Sequence, residues 1–406
     1  MPENPAGARY LSAVEAAARL GVRRSSLYAY ASRGRIRAEF DPRNPRVSRY
    51  LASDVERLRN QKEARIDPAV AARKTLAWGT PILESGLTLI DRGRFYYRGH
   101  DALTLARQAR FEEVVRLLWH CEASMPRVSI APRCLDALAR LRRLPAMERL
   151  QAILPVAAAG DDAALDTRAA NVAATGWRIL HLLAAAATLD VTPGAEPLAA
   201  RLARGFGLHS RGSRRLLDLA LILCADHELN GSTFAVRVVA STGSSPYDVV
   251  SAGLAALHGP RHGGYTARIE RFLDQSRSPD DVDRIVTEWL QRGEPVPGFG
   301  HPLYPDGDPR ARAIFAAIQS AWPRSDAAAL ARAVAHTGPR LLGDHPTLDY
   351  GLVVLRRALG LPPGSALVLF ALGRTAGWIA HAMEQYALDQ PIRPRAAYTG
   401  PPPLTC

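Results

Sequence analysis

Lysine is almost missing from this 406-residue chain: only Lys62 and Lys74 occur, so fifty of the 52 basic residues are arginines. With the abundance of Ala, that skew has the look of codon bias. It weakens any reading of the net charge of +13 as a nucleic-acid signature, although a basic field still favours anionic ligands such as carboxylates, phosphates or DNA. Cysteine is scarce too. Cys121, Cys134, Cys224 and Cys406 are scattered and form no CxxC pair, which suits an ordinary reduced interior better than a disulfide frame or zinc site. Apolar runs are short: Ile179–Leu189 and Leu216–Ala225 reach about half of the roughly 20 residues a membrane span needs. The start, MPENPAGARY, lacks a basic-then-apolar signal architecture, so a cytoplasmic location without a membrane partner is expected. Neither GxGxxG after a strand nor GxxxxGK[ST] is present, and there is no GxSxG elbow or Cys beside a plausible base. His258 and His262 stand four apart, but Gly259-Pro260 breaks the helix that would align them and no third ligand is spaced for zinc, so no metal is expected.

What is present is a globular balance, 47% hydrophobic and 22% charged, enough for a large core in two or three domains. From about Lys74 onward, Ala/Leu-rich runs with helical spacing dominate, as in FEEVVRLLWHCEA and ALVLFALGRTAGWIAHAMEQYAL. Strand signals are nearly confined to PILESGLTLIDRGRFYYRG, where two apolar stretches flank Asp91-Arg92-Gly93 as in a hairpin. The fold class expected is all-α with a small β ornament.

Residues 1–65 carry fourteen basic against seven acidic residues, which sets them apart as a module. Ser12 is placed to cap a helix with Glu15 in its first turn and Leu11, Val14, Ala17, Ala18 and Leu20 on its apolar face. Gly21 ends it, a second helix spans about 24–32, then come a two-strand wing near 41–45 and a last helix capped by Ser53 or Asp54. In this order, the pattern over 1–66 resembles the winged helix-turn-helix DNA-reading domain of the excisionase and mercury-resistance-regulator type. Arg23, Arg24, Arg46 and Arg49, with Arg33 and Arg35, would neutralise phosphates of duplex DNA. Ala29 and Ala31 thin out the polar reading face, and a docking or dimer-supporting appendage is the competing reading.

In the large remainder, polar residues interrupt apolar helices. Asp226-His227-Glu228 ends one, Gly259-Pro260-Arg261-His262-Gly263-Gly264 another, and Gly298-Phe299-Gly300-His301 opens a loop running to Asp308-Pro309-Arg310. Asp349 lies in TLDYG and Arg374 inside an apolar helix, and Ile392-Arg393-Pro394-Arg395 comes after the last one. A lone His at a helix end is more often a cap than a catalyst. Three of them, two beside glycines that admit a ligand close to the backbone, shift that balance.

These motifs, with YYRGHD at 96–101, ADHELNGSTFAVRVVAST at 225–242, VPGFGHPLYPDGDPRAR at 296–312 and GRTAGWIAHAMEQ at 373–385, resemble those of the citrate synthase family from about Thr75 to Gly400. The resemblance implies a nearly all-α, two-domain homodimer, with a large domain over 75–263 and 357–406 and a small mobile one over 264–356. It implies condensation of acetyl-CoA with oxaloacetate, the CoA thioester being a substrate and no cofactor being needed. By family position Asp349 is the base, His262 the donor to the thioester oxygen and His301 the group that polarises the ketone. His227, Arg310, Arg374 and Arg393 join His301 in binding oxaloacetate, the last reaching into the partner subunit's site, and Val296, Pro297, Gly298, Phe299 and Gly300 approach CoA. Pro305 and Arg261 depart from the family pattern, which often has Lys or Arg at the first position and Leu at the second. Two further functions fit the same residues: 2-methylcitrate synthesis from propionyl-CoA, and a DNA-binding regulator whose synthase-like part senses acyl-CoA or oxaloacetate.

Overall fold

In the computed structural model, Ser12 and Glu15 cap the first helix reciprocally: Ser12 Oγ accepts from the Glu15 amide and the Glu15 carboxylate from the Ser12 amide. The structure describes residues 10–41, 44–52, 54, 55, 58, 59, 83–121, 128–276, 278–396 and 398–401, without the side chains of Pro45 and Arg46. The described chain divides into two units, 1–84 with 394–406, and 85–393. The boundary expected at 66 and the cap expected at Ser53 lie outside the described residues.

In the first unit, helices Ala13–Leu20 and Arg24–Ser32 have the bounds the capping pattern predicts, and Gly21 at φ 59° makes the left-handed turn that separates them. The expected two-strand wing is a three-stranded antiparallel sheet: β1 (Tyr10–Ser12) and β2 (Ala38–Asp41) flank β3 (Asn44–Leu51). Leu11, expected on the helix, therefore lies on a strand, paired with Tyr50. Val14 and Ala18, expected on the apolar face, are exposed, and Ala16 is buried instead. Leu11, Ala16, Leu20, Leu27, Ile36, Tyr50, Val55 and Leu58 form a small separate core.

The second unit is helical apart from another three-stranded sheet, so the all-α expectation is corrected to mostly helical with two small sheets. β4 (Thr88–Asp91) and β5 (Arg94–Tyr97) form the expected hairpin, and β6 (His100–Asp101) adds a third strand. Arg92 and Gly93, both at positive φ, make its two-residue turn. At the centre runs the helix Ser365–Leu388, packed against the helices Phe111–Trp119, Ala169–Thr188, Arg211–Cys224, Gly231–Ala240, Pro246–His258 and Leu348–Ala358. It is long and apolar enough to cross a membrane, which corrects the expectation of short apolar runs, yet 94% of its apolar window is buried in the protein. Arg374 interrupts the run and hides its length in the sequence. Small residues let the helix approach its neighbours. A Cβ on Gly373 would lie 2.6 Å from the Leu221 carbonyl oxygen, and one on Gly377 2.3 Å from that of Ala225, so the segment 221–226 sits directly against this helix. The Gly377 amide donates to the Ala225 oxygen at 2.9 Å. Cys134 and Cys224 are buried and Cys121 half-buried, all three as free thiols.

Candidate active site

The helix Arg211–Cys224 ends against the long central helix, and the chain turns through Glu228 at φ 52° before Asn230 caps Gly231–Ala240. That turn presents His227, 7% exposed, to the loop 298–308. His227 Nε2 lies 2.8 Å from the Tyr304 hydroxyl, and its ring stands edge-on to His301 with centroids 5.6 Å apart. The loop holding His301 is tied down by its backbone: the Gly300 amide donates to His345 O and the Thr347 amide to Gly298 O, both at 2.9 Å. Gly298 and Gly300 at φ 89° and 77° make this path available. The Leu303 amide donates to His301 Nδ1 at 3.2 Å, so a neutral His301 carries its proton on Nε2 and offers a donor there.

Asp308 ends the loop and orients two helices. As N-cap of Pro309–Ala321 it accepts from the Arg310 amide, grips the Arg310 guanidinium at 2.9 and 2.8 Å, and accepts from the Leu348 amide at 2.9 Å. The last bond sets the start of the helix Leu348–Ala358, whose second residue is Asp349. Asp349 Oδ1 is buried without a hydrogen-bond partner. Burial pushes the Asp349 carboxyl up to about 6, against the pull of Arg310.

Burial also opposes the charge on Arg310 and would raise Asp308, but the pair itself prevails: Asp308 is held below its ordinary value and Arg310 above. Arg374, on the central helix, donates from Nε to Cys224 O at 2.7 Å and lies over the Phe370 ring at 5.0 Å. The Phe370 ring also meets His262 edge-on, centroids 5.9 Å apart. His262 lies just beyond the helix Pro246–His258, stopped at Gly259-Pro260, and its Nε2 is 2.8 Å from Ser232 Oγ. All three histidines are neutral near pH 7. Burial and then Arg374 draw His262 down to about 4, burial and then Arg310 do the same to His301, and His227 falls well below its ordinary range through burial, Arg310 and Arg374.

The arrangement therefore offers neutral hydrogen-bond donors, two buried guanidiniums suited to a dicarboxylate and one carboxylate of raised basicity. The structure brings together His227, His301, Arg310, Asp349, Arg374 and His262, each acting electrostatically on others of the set. It does not bring in Arg393, which is exposed and joined to this cluster by no hydrogen bond or ion pair. Of Val296–Gly300, Phe299 packs on Tyr350 with centroids 5.1 Å apart, while the Gly298 carbonyl and Gly300 amide are already paired within the protein. Among the described residues no three His, Cys, Asp or Glu side chains are grouped as metal ligands. Sequence reasoning missed Tyr304, Ser232 and the organising role of Asp308. Only Asp308 carried a local signal, an N-cap residue directly before Pro309.

In the first unit, Arg23 and Arg24 are exposed at the start of the second helix. Arg49 is engaged by Glu39 at 2.5 Å and lies over the Tyr10 ring at 4.5 Å, so part of its charge is answered within the fold. The Arg46 side chain lies outside the described residues.

The family model "Citrate synthase, C-terminal domain" matches residues 76–395. The chain is 33% identical to a citrate synthase of Haloferax volcanii over 79% of its own length and 94% of that protein. It is 29% identical to a citrate/2-methylcitrate synthase of Bacillus subtilis over 80% and 95%. Among solved structures it resembles the Thermoplasma acidophilum citrate synthase in ternary complex with carboxymethyl coenzyme A and oxaloacetate, with TM-score 0.70 and 26% identity over 80% of this chain and 96% of that one.

Proposed function

The chain belongs to the citrate synthase family, and from that premise we propose that residues 85–393 condense acetyl-CoA with oxaloacetate and water to give citrate and CoA. The observation that carries this reading is Asp349 Oδ1, a buried and unpartnered carboxylate oxygen whose group burial pushes up to about 6, among neutral histidines and the Arg310 and Arg374 guanidiniums. In this cycle Asp349 removes a proton from the acetyl methyl group while His262 donates to the thioester oxygen and holds the enolate or enol. The new carbon nucleophile attacks the ketone carbon of oxaloacetate while His301 polarises the ketone by a hydrogen bond from Nε2; the carbonyl π pair moves to that oxygen, which becomes the hydroxyl by taking up a proton equivalent to the one Asp349 removed. His227, Arg310 and Arg374 hold the two carboxylates, with Arg393 contributed to the partner subunit of a homodimer. Water then hydrolyses the citryl thioester and CoA leaves as the thiol. Closure of a small domain, 264–356, against the remainder would exclude water until condensation is complete. No resident cofactor takes part, and the setting is cytoplasmic. Steady-state thiol release from acetyl-CoA is expected only when oxaloacetate is present; release independent of oxaloacetate, or none, refutes the reading.

Two further readings accompany it. Propionyl-CoA differs by one methylene, worth roughly 1–3 kcal/mol of discrimination, and the likeness to a citrate/2-methylcitrate synthase favours testing it in the same assay. For the first 66 residues, the exposed Arg23, Arg24 and Tyr28 on the second helix and its start favour a helix-turn-helix role on duplex DNA. A metabolite-responsive regulator would add a DNA sequence preference that changes with oxaloacetate or acyl-CoA.

A further inference from the structure

Tyr304 is 2% exposed, yet it stands outside the apolar core to which the buried Tyr97, Tyr247 and Tyr350 belong. Its surroundings are polar rings and a cation. The hydroxyl is 2.8 Å from His227 Nε2, the ring centroid is 5.0 Å from that of His301, and the Arg310 guanidinium carbon lies 5.4 Å from the ring. One side chain thus touches three groups of the anion pocket, which come from two segments far apart in sequence, 225–230 and 298–310. The backbone bonds of the loop fix His301 and the Asp308 pair fixes Arg310, but among the described residues the His227 ring makes its one hydrogen bond to Tyr304. An imidazole held at one nitrogen is free to present the other, whereas an unheld ring can turn.

We propose that Tyr304 is a positioning residue of the oxaloacetate site, clamping the His227 ring to the loop that carries His301 and Arg310 so that the three bind substrate as one surface. This rests on the reading of that pocket as the oxaloacetate site. The hydroxyl, not the ring, is the active part: Tyr304→Phe keeps the packing on His301 and Arg310 and removes only the hydrogen bond, leaving His227 Nε2 buried and unpaired.

The test is calorimetric binding of oxaloacetate, with steady-state kinetics, for the full-length protein and Tyr304→Phe. The Kd and KM for oxaloacetate should rise about tenfold, the scale of one lost buried hydrogen bond, while the KM for acetyl-CoA stays within about twofold and the thermal midpoint falls by no more than a few degrees. In a His227→Gln background, adding Tyr304→Phe should change the oxaloacetate Kd no further, because the clamp acts through that ring. An unchanged Kd in the single variant, equal effects of Tyr304→Phe in both backgrounds, or a variant that does not fold each overturns the proposal. If the unaltered protein binds no oxaloacetate, it is the assignment of the pocket that fails.

Discussion

Arginine means opposite things in the two units. Within 85–393, Arg201, Arg237, Arg310 and Arg374 are 3% exposed or less, and each is matched to an acceptor: Thr192 O, the Gln385 and Glu384 side chains, Asp308 and Cys224 O respectively. Within 10–59, Arg23, Arg24 and Arg33 are exposed, whereas Arg37, also exposed, grips the buried Asp54. A guanidinium taken out of water needs acceptors around it, and although Arg201 Nε and Arg237 Nη2 stay unpaired, each of these buried arginines reports on a built environment. An exposed one reports only on the field around it. The net charge of the chain therefore says little about partners, while Arg310 and Arg374 say a great deal.

The sharpest way to break this comparison is to remove one arginine from each unit. Arg310→Met strands Asp308, which among the described residues bonds no other cation, and should cost about 3–5 kcal/mol of stability, the scale for breaking a buried pair. Arg24→Met, at an exposed position, should stay within about 0.5 kcal/mol. Denaturant unfolding followed by circular dichroism reads both, and equal costs would mean that burial does not divide the two classes. The chemistry gives the next effect. Asp349→Asn should lower turnover by at least about 100-fold, the lower scale for losing a general base, and leave oxaloacetate binding nearly intact, since the arginines and histidines remain. Near-normal turnover would remove Asp349 from the mechanism.

The pH dependence sharpens the same point. A base works ionised, so with Asp349 near 6 the value of kcat/KM should be flat above neutrality and fall as pH drops through 6, about tenfold per unit once well below it. His262 and His301, at about 4, are already neutral there and add no limb near 6.5. Absence of any limb near 6 would show that Asp349 is not raised, whereas a limb near 4 belongs equally to His262 and His301. A limb near 6 that survives in the residual activity of Asp349→Asn would assign it to another group.

Much of this was legible in the sequence, and for identifiable reasons. Helix ends carry local signals, so Ser12 with Glu15 and the Arg92-Gly93 turn placed their elements correctly. The site histidines, Asp349, Arg310 and Arg374 stood out because polar residues beside or inside apolar helices demand an explanation. Pairing between distant segments could not be read. Nothing near Tyr10 announces its strand partner at Leu51, 41 residues on, and nothing in the sequence around Tyr304 points to His227. Asp308 was visible as a cap, but its bond to the Leu348 amide, which aims the helix bearing Asp349, exists only once the chain has folded. Arg49 shows the converse: its charge suggested a phosphate contact, and its fold neighbour Glu39 takes that charge up.

The smallest expected effect concerns the exposed class. Every residue assigned to the chemistry lies after position 225, and the family match begins at residue 76, so deleting residues 1–66 should leave turnover within about twofold; a mutation remote from a site's contacts changes rate little unless it moves that site. Loss of activity in a folded deletion variant would instead give the module a part in building the site or the dimer. On duplex DNA, the intact protein should bind with an affinity that falls linearly with salt in log–log form if its surface arginines meet phosphates. Arg23 and Arg24 are the exposed pair at the start of the second helix, where side chains and helix amides meet the backbone of a duplex. Replacing both with Gln should reduce the slope by roughly two, about one for each lost phosphate contact. Arg49→Gln should change the slope far less, because Glu39 already holds that guanidinium. If all three replacements lower the slope alike, pairing on the surface does not silence an arginine and the division drawn between the two classes fails. If none does, and no binding is measurable at about 50 mM salt, a condition that favours phosphate contacts, the module has no role on DNA.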